Sequence, residues 1–410
     1  MREGLVPAEE ALAIVLAGAE PAGAETVEIE NAHNRVLAAD LASLRTQPPF
    51  PVSAMDGYAV IAADTAKPPA RLKLIGESAA GRSFAGQVRG GEAVRIFTGA
   101  RVPDGADAVV IQENTAIEGD SVLVNAGVAA GRNVRVAGLD FRAGDKLLAK
   151  GDVLTPAAVA LAASMNHARV PVFRRPKVGV IATGDELQPP GPAANPEAII
   201  ASNNLALCAV AAEAGGLAYD FGIIGDTQAG IETAILAAAT AEMDVVVTTG
   251  GASVGDYDLV KPALLALDAR IEFEKIAVRP GKPFVFAHLT GPHGEVRFLG
   301  FAGNPVSSLI SALAFLRPLV GRLAGRKGEA TQRVAAIAGA DLRENDERQD
   351  YLRATLSRAP DGKWVATPFE KQDSSMLAVL AKSDCLLVRP PHAKAAKAGE
   401  PCEVILMREV

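Results

Sequence analysis

Two carboxylates follow a glycine turn in residues 244–261, which read DVVVTTGGASVGDYDLVK. A run of valines predicts a buried strand, Gly250 and Gly251 predict a turn, and Asp256 and Asp258 lie where the next helix should begin. In an open α/β sheet, ligands bind at the carboxyl ends of the strands, where glycines let backbone N–H groups approach an anion. Carboxylates beside such a turn suit a divalent cation that bridges to phosphate or oxyanion oxygens.

Acidic residues also follow two other strands that the pattern predicts. Glu186 follows the run KVGVIAT, and Asp226 follows AYDFGII. Acids at strand ends are often only helix caps, which complement the partial positive charge of the first turn. For Asp226 alone we favour capping, whereas Glu186 and Asp258 together favour a site that binds a cation.

Three basic residues lie close together in residues 274–286, EKIAVRPGKPFVF, namely Lys275, Arg279 and Lys282. In an acidic chain such a cluster can neutralise a phosphate or an oxyanion. A solvated edge strand would also explain it. Prolines on both sides of Gly281 and Lys282 fix where this lysine points, and they favour a binding role.

Two further loops have polar residues in positions suited to binding. The segment GNPVSSL predicts a strand-to-helix turn with Asn304 before Pro305, and the free N–H groups of such a helix start can hold an anion. A purely structural turn is equally consistent with an Asn-Pro pair. The loop IFTGARVPDGAD has Thr98 as its one obvious polar candidate, and by itself it is typical of a plain glycine-proline loop.

Charge and motifs limit the classes of function. With 41 Lys and Arg against 48 Asp and Glu, the formal net charge is −7, which argues against a broad nucleic-acid surface. The sequence has no Walker-type G-x-x-x-x-G-K-[ST], and no G-x-G-x-x-G opens a helix after a predicted strand. Any anion site must therefore be local, and it does not belong to the standard nucleotide types.

Cysteine usage indicates a reducing compartment, and the hydropathy pattern predicts neither a signal peptide nor a membrane span. Cys208, Cys385 and Cys402 lie far apart without C-x-x-C spacing, so neither a disulfide framework nor a zinc site is predicted. The N-terminal apolar run has helical periodicity instead of the continuous core of a signal peptide. No stretch reaches the roughly 20 apolar residues of a membrane span. We expect a cytoplasmic protein.

The order of predicted elements divides the chain into four parts. A helical N-terminal pattern resumes at Thr155 and Pro156, and short apolar runs between glycine turns separate its two halves. From Lys177 to about Val320 strands alternate with helices, which predicts right-handed crossovers and a mainly parallel sheet. After Gly328 only short strands follow. The α/β part is where we expect catalysis.

Seven segments in this order resemble the molybdopterin molybdenumtransferases, the MoeA family, which includes the E domain of gephyrin. They are PFPVSAMDGYAV, IFTGARVP, VGVIATGDEL, TTGGASVGDYD, VRPGKPFVF, GNPVSSL and QDSSM. The resemblance implies a multidomain α/β plus β fold with a homodimer whose active site is shared between subunits. Its parts are a helical N-terminal domain split between 1–48 and 139–175, an inserted small β domain at 49–138, an adenylyltransferase-like three-layer α/β domain with a mainly parallel sheet at 176–326, and a C-terminal β-barrel at 327–410.

The resemblance also implies the reaction and its residues. Adenylylated molybdopterin and molybdate are the substrates, the phosphoanhydride is cleaved, AMP is released and molybdenum stays on the dithiolene. The implied catalytic residues are Asp56, Thr98, Glu186, Asp258, Lys275 and Lys282. Glu186, Asp226 and Asp258 are the implied ligands of Mg²⁺. Substrate or oxyanion contacts are implied at Asp140, Gly250, Gly251, Ser253, Arg279, Asn304 and Ser374. Expected partners are the molybdopterin adenylyltransferase and downstream molybdoenzyme maturation proteins, with no nucleic acid and no membrane.

The chain departs from the family pattern at two positions. Arg279 stands where many members have lysine, and Ala302 stands where proline is usual. A guanidinium is a planar fork and an ammonium is a point charge, so the geometry at the oxyanion is expected to differ. Neither change touches the carboxylates, and we expect activity to be retained.

Two other functions fit parts of the pattern. A molybdopterin adenylyltransferase would match residues 177–320, but its loop reads TGGTG with a following Arg-Asp, and the β domains would be unexplained. A dimeric scaffold that binds without turnover is the second alternative. Such a scaffold has less need of the acidic and basic residues that the motifs retain.

Overall fold

The computed structural model describes residues 4–192, 195–251, 259–327 and 333–407. Their strands form three sheets of six strands and four two-stranded pairs. The large sheets belong to an inserted unit, an α/β unit and a C-terminal barrel. Short 3₁₀ helices cover Ile29–Asn31, Ala62–Thr65 and Gln112–Asn114.

The chain begins with helix α1 (Ala8–Leu16) and the short strands β1 (Ala24–Glu28) and β2 (Leu41–Ala42). Helix α1 buries Ala11 and Val15 in the core of the α/β unit. The N-terminal helix is therefore held by the α/β unit through apolar contacts.

Eight strands form the inserted unit. They are β3 (Val52–Ser53), β4 (Gly57–Val60), β5 (Ala70–Ser78), β6 (Glu92–Ile96), β7 (Ala108–Ile111), β8 (Thr115–Glu118), β9 (Ser121–Val124) and β10 (Val134–Arg135). Six of them make a sheet in the order β7-β4-β6-β5-β9-β8, and β3 pairs with β10. Val122 and Val124 of β9 are both buried, which is the alternation expected of a strand with one face on a core.

The chain then returns to β1 and β2 and pairs with them. The returning elements are β11 (Lys146–Leu148), α2 (Pro156–Ser164) and β12 (Arg169–Phe173). β12 pairs antiparallel with β1, and β11 with β2, so segments on both sides of the insertion form one flanking unit. The Thr155 hydroxyl accepts a hydrogen bond from the Ala158 N–H, which caps α2 as the Thr-Pro pair predicts.

The α/β unit is a six-stranded sheet with helices on both faces. Its elements are β13 (Lys177–Thr183), β14 (Leu187–Gln188), β15 (Ile199–Ile200), α3 (Asn203–Glu213), β16 (Leu217–Ile224), α4 (Gln228–Thr240), β17 (Val245–Thr249), α5 (Val260–Ala266), β18 (Arg270–Lys275), β19 (Val278–Arg279), β20 (Pro283–Gly291), β21 (Gly294–Phe301), α6 (Pro305–Ser311) and α7 (Arg317–Leu323). The sheet order is β16-β13-β17-β21-β20-β18, and the first four strands are mutually parallel. Strands β13 and β17 are continuous apolar runs because helices cover both of their faces.

The C-terminal part closes into a small barrel. Its elements are β22 (Arg333–Ala338), β23 (Gln349–Arg358), β24 (Trp364–Pro368), α8 (Leu377–Ala381), β25 (Cys385–Arg389) and β26 (Pro401–Leu406). The order β23-β24-β22-β26-β25 is closed by a second pairing between β25 and β23. Strand β19 of the α/β unit pairs with the start of β23 and joins the two units. The predicted three-layer α/β part and C-terminal barrel are confirmed.

One described helix, Pro305–Leu323, has the length and composition of a membrane span, and a π turn at Ala312–Leu316 interrupts it. Of its most apolar window, 83% is buried inside the molecule, and a core helix of this kind passes the same test. Burial raises the pKa of the Cys385 thiol to about 12, and all three cysteines are free. Cys385 is buried, and Cys208 and Cys402 are partly buried.

Candidate functional site

A cleft lies at the carboxyl ends of β13 and β17, beside the turn that precedes α6. We call it the strand-end cleft, and its empty volume is about 420 Å³. The side chains and turns that define it include Thr183, Glu186, Ile199, Asn203, Thr249 and Gly303. This is the sheet edge at which the sequence predicts ligand binding.

One amide side chain holds the loops around this cleft together. Asn203 Nδ2 donates to Thr249 Oγ1 over 3.0 Å and to the Gly303 carbonyl over 2.8 Å. Thr183 lies beside them with only 3% of its surface exposed, and its hydroxyl has no hydrogen-bond partner among the described residues. The cleft thus has a braced wall and a polar group that is left for a ligand.

The predicted turn at the end of β17 is present. Gly250 has φ +96° and Gly251 has φ +62°, a region of backbone conformation that favours glycine. The Gly250 N–H donates to the Phe301 carbonyl over 3.2 Å, so this amide serves the turn itself. Ser253 and Asp258, predicted on the same loop, lie outside the described residues.

Carboxylates stand at the ends of β13 and β16. A methyl group on Gly184 would lie 2.6 Å from Glu186 Oε2, and one on Gly225 would lie 2.9 Å from Asp185 Oδ1. The Asp226 N–H donates to Asp185 Oδ1 over 3.0 Å, and the Asp185 N–H faces Asp226 Oδ2 at 3.4 Å. The two strand ends are therefore joined through acidic residues that lie directly over glycine backbone.

These oxygen donors are of the type that Mg²⁺ prefers. Within the described residues, however, no group of three or more acidic or histidine side chains is close enough to hold a metal ion. Glu186 and Asp226 fit a metal in chemistry, and a complete ligand set needs a further contribution. Asp258 was predicted to supply it, and its position is outside the described residues.

A second, larger cleft lies between the α/β unit and the barrel. We call it the inter-unit cleft, and its empty volume is about 1150 Å³. Its lining includes Arg279, Lys282, Ser307, Arg348, Asp350 and Ser374. Lys275 ends β18, and its strand partner is Pro283, the residue after Lys282. The predicted basic segment and the predicted Ser374 thus meet at one place.

The cations of the inter-unit cleft are not equivalent. Arg279 pairs with Asp350 at 2.5 Å, and Arg348 pairs with Asp346 at 2.8 Å. Lys282 is exposed, and in the described part of the chain no carboxylate lies within ion-pair distance of it. Of the three, Lys282 is the cation that remains for an anionic ligand.

The turn GNPVSSL separates the two clefts. Gly303 and Pro305 line the strand-end cleft, whereas Ser307 lines the inter-unit cleft. Asn304 precedes α6 without a side-chain capping bond, and the Val306 N–H donates to the Ser374 carbonyl over 3.2 Å. This helix start therefore binds the barrel through one of the N–H groups that the sequence assigns to an anion.

Asp56 and Thr98 form a separate group in the inserted unit. The Thr98 N–H and hydroxyl donate to Asp56 Oδ1 over 2.7 Å and 2.8 Å, and these bonds lower the pKa of the Asp56 carboxyl below its usual range. Asp140 lies after the insertion, where its N–H donates to the Gln47 carbonyl. None of the three lines either cleft. Within one chain, Glu186 lines the strand-end cleft and Arg279, Lys282 and Ser374 line the inter-unit cleft, whereas Asp56, Thr98 and Asp140 lie outside both.

Sequence reasoning missed Asn203, Asp185 and Arg348. Asn203 follows Ser202 at the start of a predicted helix, and its polar type at that position is the only signal that the sequence offers. Its partners are 46 and 100 residues away in the chain, so its role depends on the fold.

Three family models match the chain. Residues 6–166 match "MoeA N-terminal region (domain I and II)", residues 179–322 match "Probable molybdopterin binding domain", and residues 335–407 match "MoeA C-terminal region (domain IV)".

Curated proteins and solved structures are similar over nearly the whole chain. A molybdopterin molybdenumtransferase of Haemophilus influenzae is 34% identical over 93% of this chain and 93% of its own length. One of Bacillus subtilis is 33% identical over 98% of this chain and 94% of its own. The crystal structure of a molybdopterin biosynthesis MoeA protein from Pyrococcus horikosii has a TM-score of 0.82 and 32% identity, and it covers 99% of this chain and 100% of that one.

Proposed function

Because this chain belongs to the molybdopterin molybdenumtransferase (MoeA) family, transferases of molybdenum cofactor biosynthesis, we propose that it inserts molybdate into adenylylated molybdopterin. In this reaction the phosphoanhydride is cleaved, AMP leaves, and the dithiolene sulfurs bind molybdenum. The resemblance read from the motifs and the family found by comparison agree.

The two adjoining clefts are the observation that supports this reaction most directly. The strand-end cleft is lined mainly by apolar and neutral polar side chains together with the Glu186 carboxylate, which suits an organic substrate. The inter-unit cleft presents Lys282, a cation that has no carboxylate within ion-pair distance among the residues the structure describes. Only the first turn of α6 separates them, with Pro305 on one side and Ser307 on the other. An organic ligand and an oxyanion bound in these clefts would be neighbours, as a transfer between them requires.

The roles of the charged residues follow from this placement. Lys282 and Lys275 attract the oxyanion, and Ser374 offers a hydroxyl to it from the barrel side. Glu186, Asp226 and Asp258 would hold Mg²⁺, which when bound neutralises charge on the phosphoanhydride. The wall braced by Asn203 keeps the organic substrate in one orientation.

A second copy of the chain completes the site in this proposal. Thr98 is exposed, its partner Asp56 is partly exposed, and neither lines either cleft, so we assign both to the active site of the partner. Large apolar side chains near the base of the inserted unit support a subunit contact there, because Met55, Val136 and Leu139 are 43%, 57% and 60% exposed. We place the homodimer in the cytoplasm, supplied by a molybdopterin adenylyltransferase.

The deciding experiment measures AMP release from adenylylated molybdopterin with purified protein and Mg²⁺, with and without molybdate. We expect molybdate-dependent release and a molybdenum-bound dithiolene product. Asp258→Ala should abolish release while the fold is retained. Binding without cleavage would favour a scaffold, and formation of the adenylylated compound from molybdopterin and ATP would favour an adenylyltransferase.

A further inference from the structure

We propose that Arg279 is a positioning residue, which pairs with Asp350 to hold the barrel on the α/β unit and so places Ser374 at the inter-unit cleft. The effect of this pairing on oxyanion binding rests on the function that we propose for the inter-unit cleft. The inference assigns to Arg279 a role different from the direct oxyanion contact that its motif position implies.

The pairing is built into the backbone register that joins the two units. β19 contributes Val278 and Arg279, which are the strand partners of Gln349 and Asp350 at the start of β23. The Gln349 N–H also donates to the Ala277 carbonyl over 2.8 Å. Arg279 and Asp350 therefore face each other directly across the contact between the α/β unit and the barrel.

The Arg279 guanidinium donates four hydrogen bonds to the barrel, although its side chain is 43% exposed. Nε donates to Asp350 Oδ1 over 2.7 Å and Nη2 to Asp350 Oδ2 over 2.5 Å, which is a bidentate pair. Nη1 reaches Asp346 over 3.1 Å, and Nη2 also donates to Asn345 over 2.9 Å. Only 11% of the Asp350 side chain is exposed, so an anion that took Arg279 would leave a nearly buried carboxylate unpaired.

Strand β23, which pairs with β19, is also hydrogen-bonded to the segment 369–376, which we call the Ser374 loop. Arg353, on the same strand as Asp350, is 1% exposed and donates through Nε to Gln372 Oε1 and through Nη1 to the Asp373 carbonyl, over 3.1 Å and 2.8 Å. The Ser374 carbonyl then accepts from Val306 of α6. A shift of β23 against β19 would move this loop relative to Lys282.

The side-chain type explains why arginine is suited to this position. A planar guanidinium matches both oxygens of one carboxylate, whereas the ammonium of a lysine would bind as a single point. An arginine here therefore fixes direction as well as distance. Its departure from the family pattern is compensated within the same chain by the acids of the barrel.

The test compares Arg279→Gln, Asp350→Asn and their double variant by amide hydrogen exchange of the Ser374 loop and by calorimetric binding of molybdate. Arg279→Lys, which keeps the charge and one hydrogen bond, serves if the glutamine variant does not fold. Arg358→Gln is the matched control, since it removes the same group from the far end of β23, where Arg358 stacks on Trp364.

Both single variants should raise loop exchange about tenfold, because a hydrogen bond to a charged group is worth about that factor in an equilibrium constant. Loop exchange in the double variant should be no faster than in either single variant. All three variants should bind molybdate more weakly than the wild type, by the same factor. The Arg358→Gln control should match the wild type in both measurements. Unchanged loop exchange with weaker molybdate binding in Arg279→Gln alone would make Arg279 a ligand and overturn the proposal, as would equal exchange in the control. Failure of the wild type to bind molybdate, with the exchange pattern intact, would refute the function of the cleft and leave the positioning role standing.

Discussion

Asn203 joins three segments that are distant in sequence through a single amide group. Its two N–H bonds reach Thr249 at the end of β17 and the Gly303 carbonyl before α6, and the residue itself begins α3. A donor with two fixed acceptors holds these segments at a set distance from one another and so braces the cleft wall. No aliphatic or acidic side chain of similar size can replace both donations.

Asn203→Ala should lower kcat/KM for adenylylated molybdopterin by about 10- to 100-fold, because it removes the two hydrogen bonds that brace the cleft wall, together worth about 1–3 kcal/mol. Asn203→Asp should be at least as damaging, since a carboxylate faces the Gly303 carbonyl. Steady-state AMP release measures both. Gln228→Ala removes an exposed amide from the start of α4 and is the control. Activity of Asn203→Ala within twofold of wild type would contradict the bracing role.

At the scale of elements, the hydrophobic pattern predicted the strands and helices that are determined by their own segment of sequence. Strand β17 is a continuous run of β-branched residues and β13 is rich in them, because helices bury both faces of each strand. The start of helix α2 is predicted by its capping Thr155 and the following Pro156. Strand β19 could not be predicted, since it is two residues long and exists only through its pairing with β23, whose first residue is 71 positions beyond Val278. Pairing partners at that separation are set by tertiary contacts, which a local pattern does not contain.

The same distinction applies to the candidate site. Glu186 could be predicted at a cleft from its place after a strand, because the carboxyl ends of parallel strands gather side chains at one edge. Lys282 could be predicted from the basic cluster and the prolines that flank Gly281 and Lys282. These sequence features were not enough to predict that Arg279 forms an ion pair with Asp350. The pairing of Arg279 with Asp350 depends on how the barrel packs on the α/β unit. This packing is set by contacts between distant segments, so no local sequence pattern predicts it.

The turn after β17 needs glycine for two separable reasons. Gly250 has φ +96°, and a methyl group there would lie 2.2 Å from the Thr183 carbonyl oxygen. Gly250→Ala should therefore lower the free energy of unfolding by about 2 kcal/mol or more, measured by urea denaturation. Gly91→Ala, with φ +76° and open space, should show the backbone strain alone, and Gly90→Ala should be close to neutral. An effect of Gly250→Ala no larger than that of Gly91→Ala would mean that the contact with Thr183 does not matter.

At the scale of the whole molecule, the predicted residues fall into two sets that one chain does not bring together. The clefts hold Glu186, Lys282 and Ser374, while Asp56 and Thr98 are paired on the inserted unit. In the symmetric dimer that we propose, each inserted unit would serve the clefts of the other copy, and two equal sites would form from complementary halves. The arrangement makes a prediction about mixed dimers that a site within one chain does not make.

Asp56→Ala and Glu186→Ala should each be inactive alone, and equal mixtures should recover about a quarter of wild-type AMP release. At random exchange about half of the dimers are mixed, and each mixed dimer has one site in which both halves are intact. Differently tagged subunits and co-purification establish that exchange has occurred. A mixture of Asp56→Ala with Thr98→Val is the control and should stay inactive, because both changes damage the same half. Proven exchange without recovery in the first mixture would place the whole site within one chain, and Asp56 would then need to reach a cleft by movement of the inserted unit.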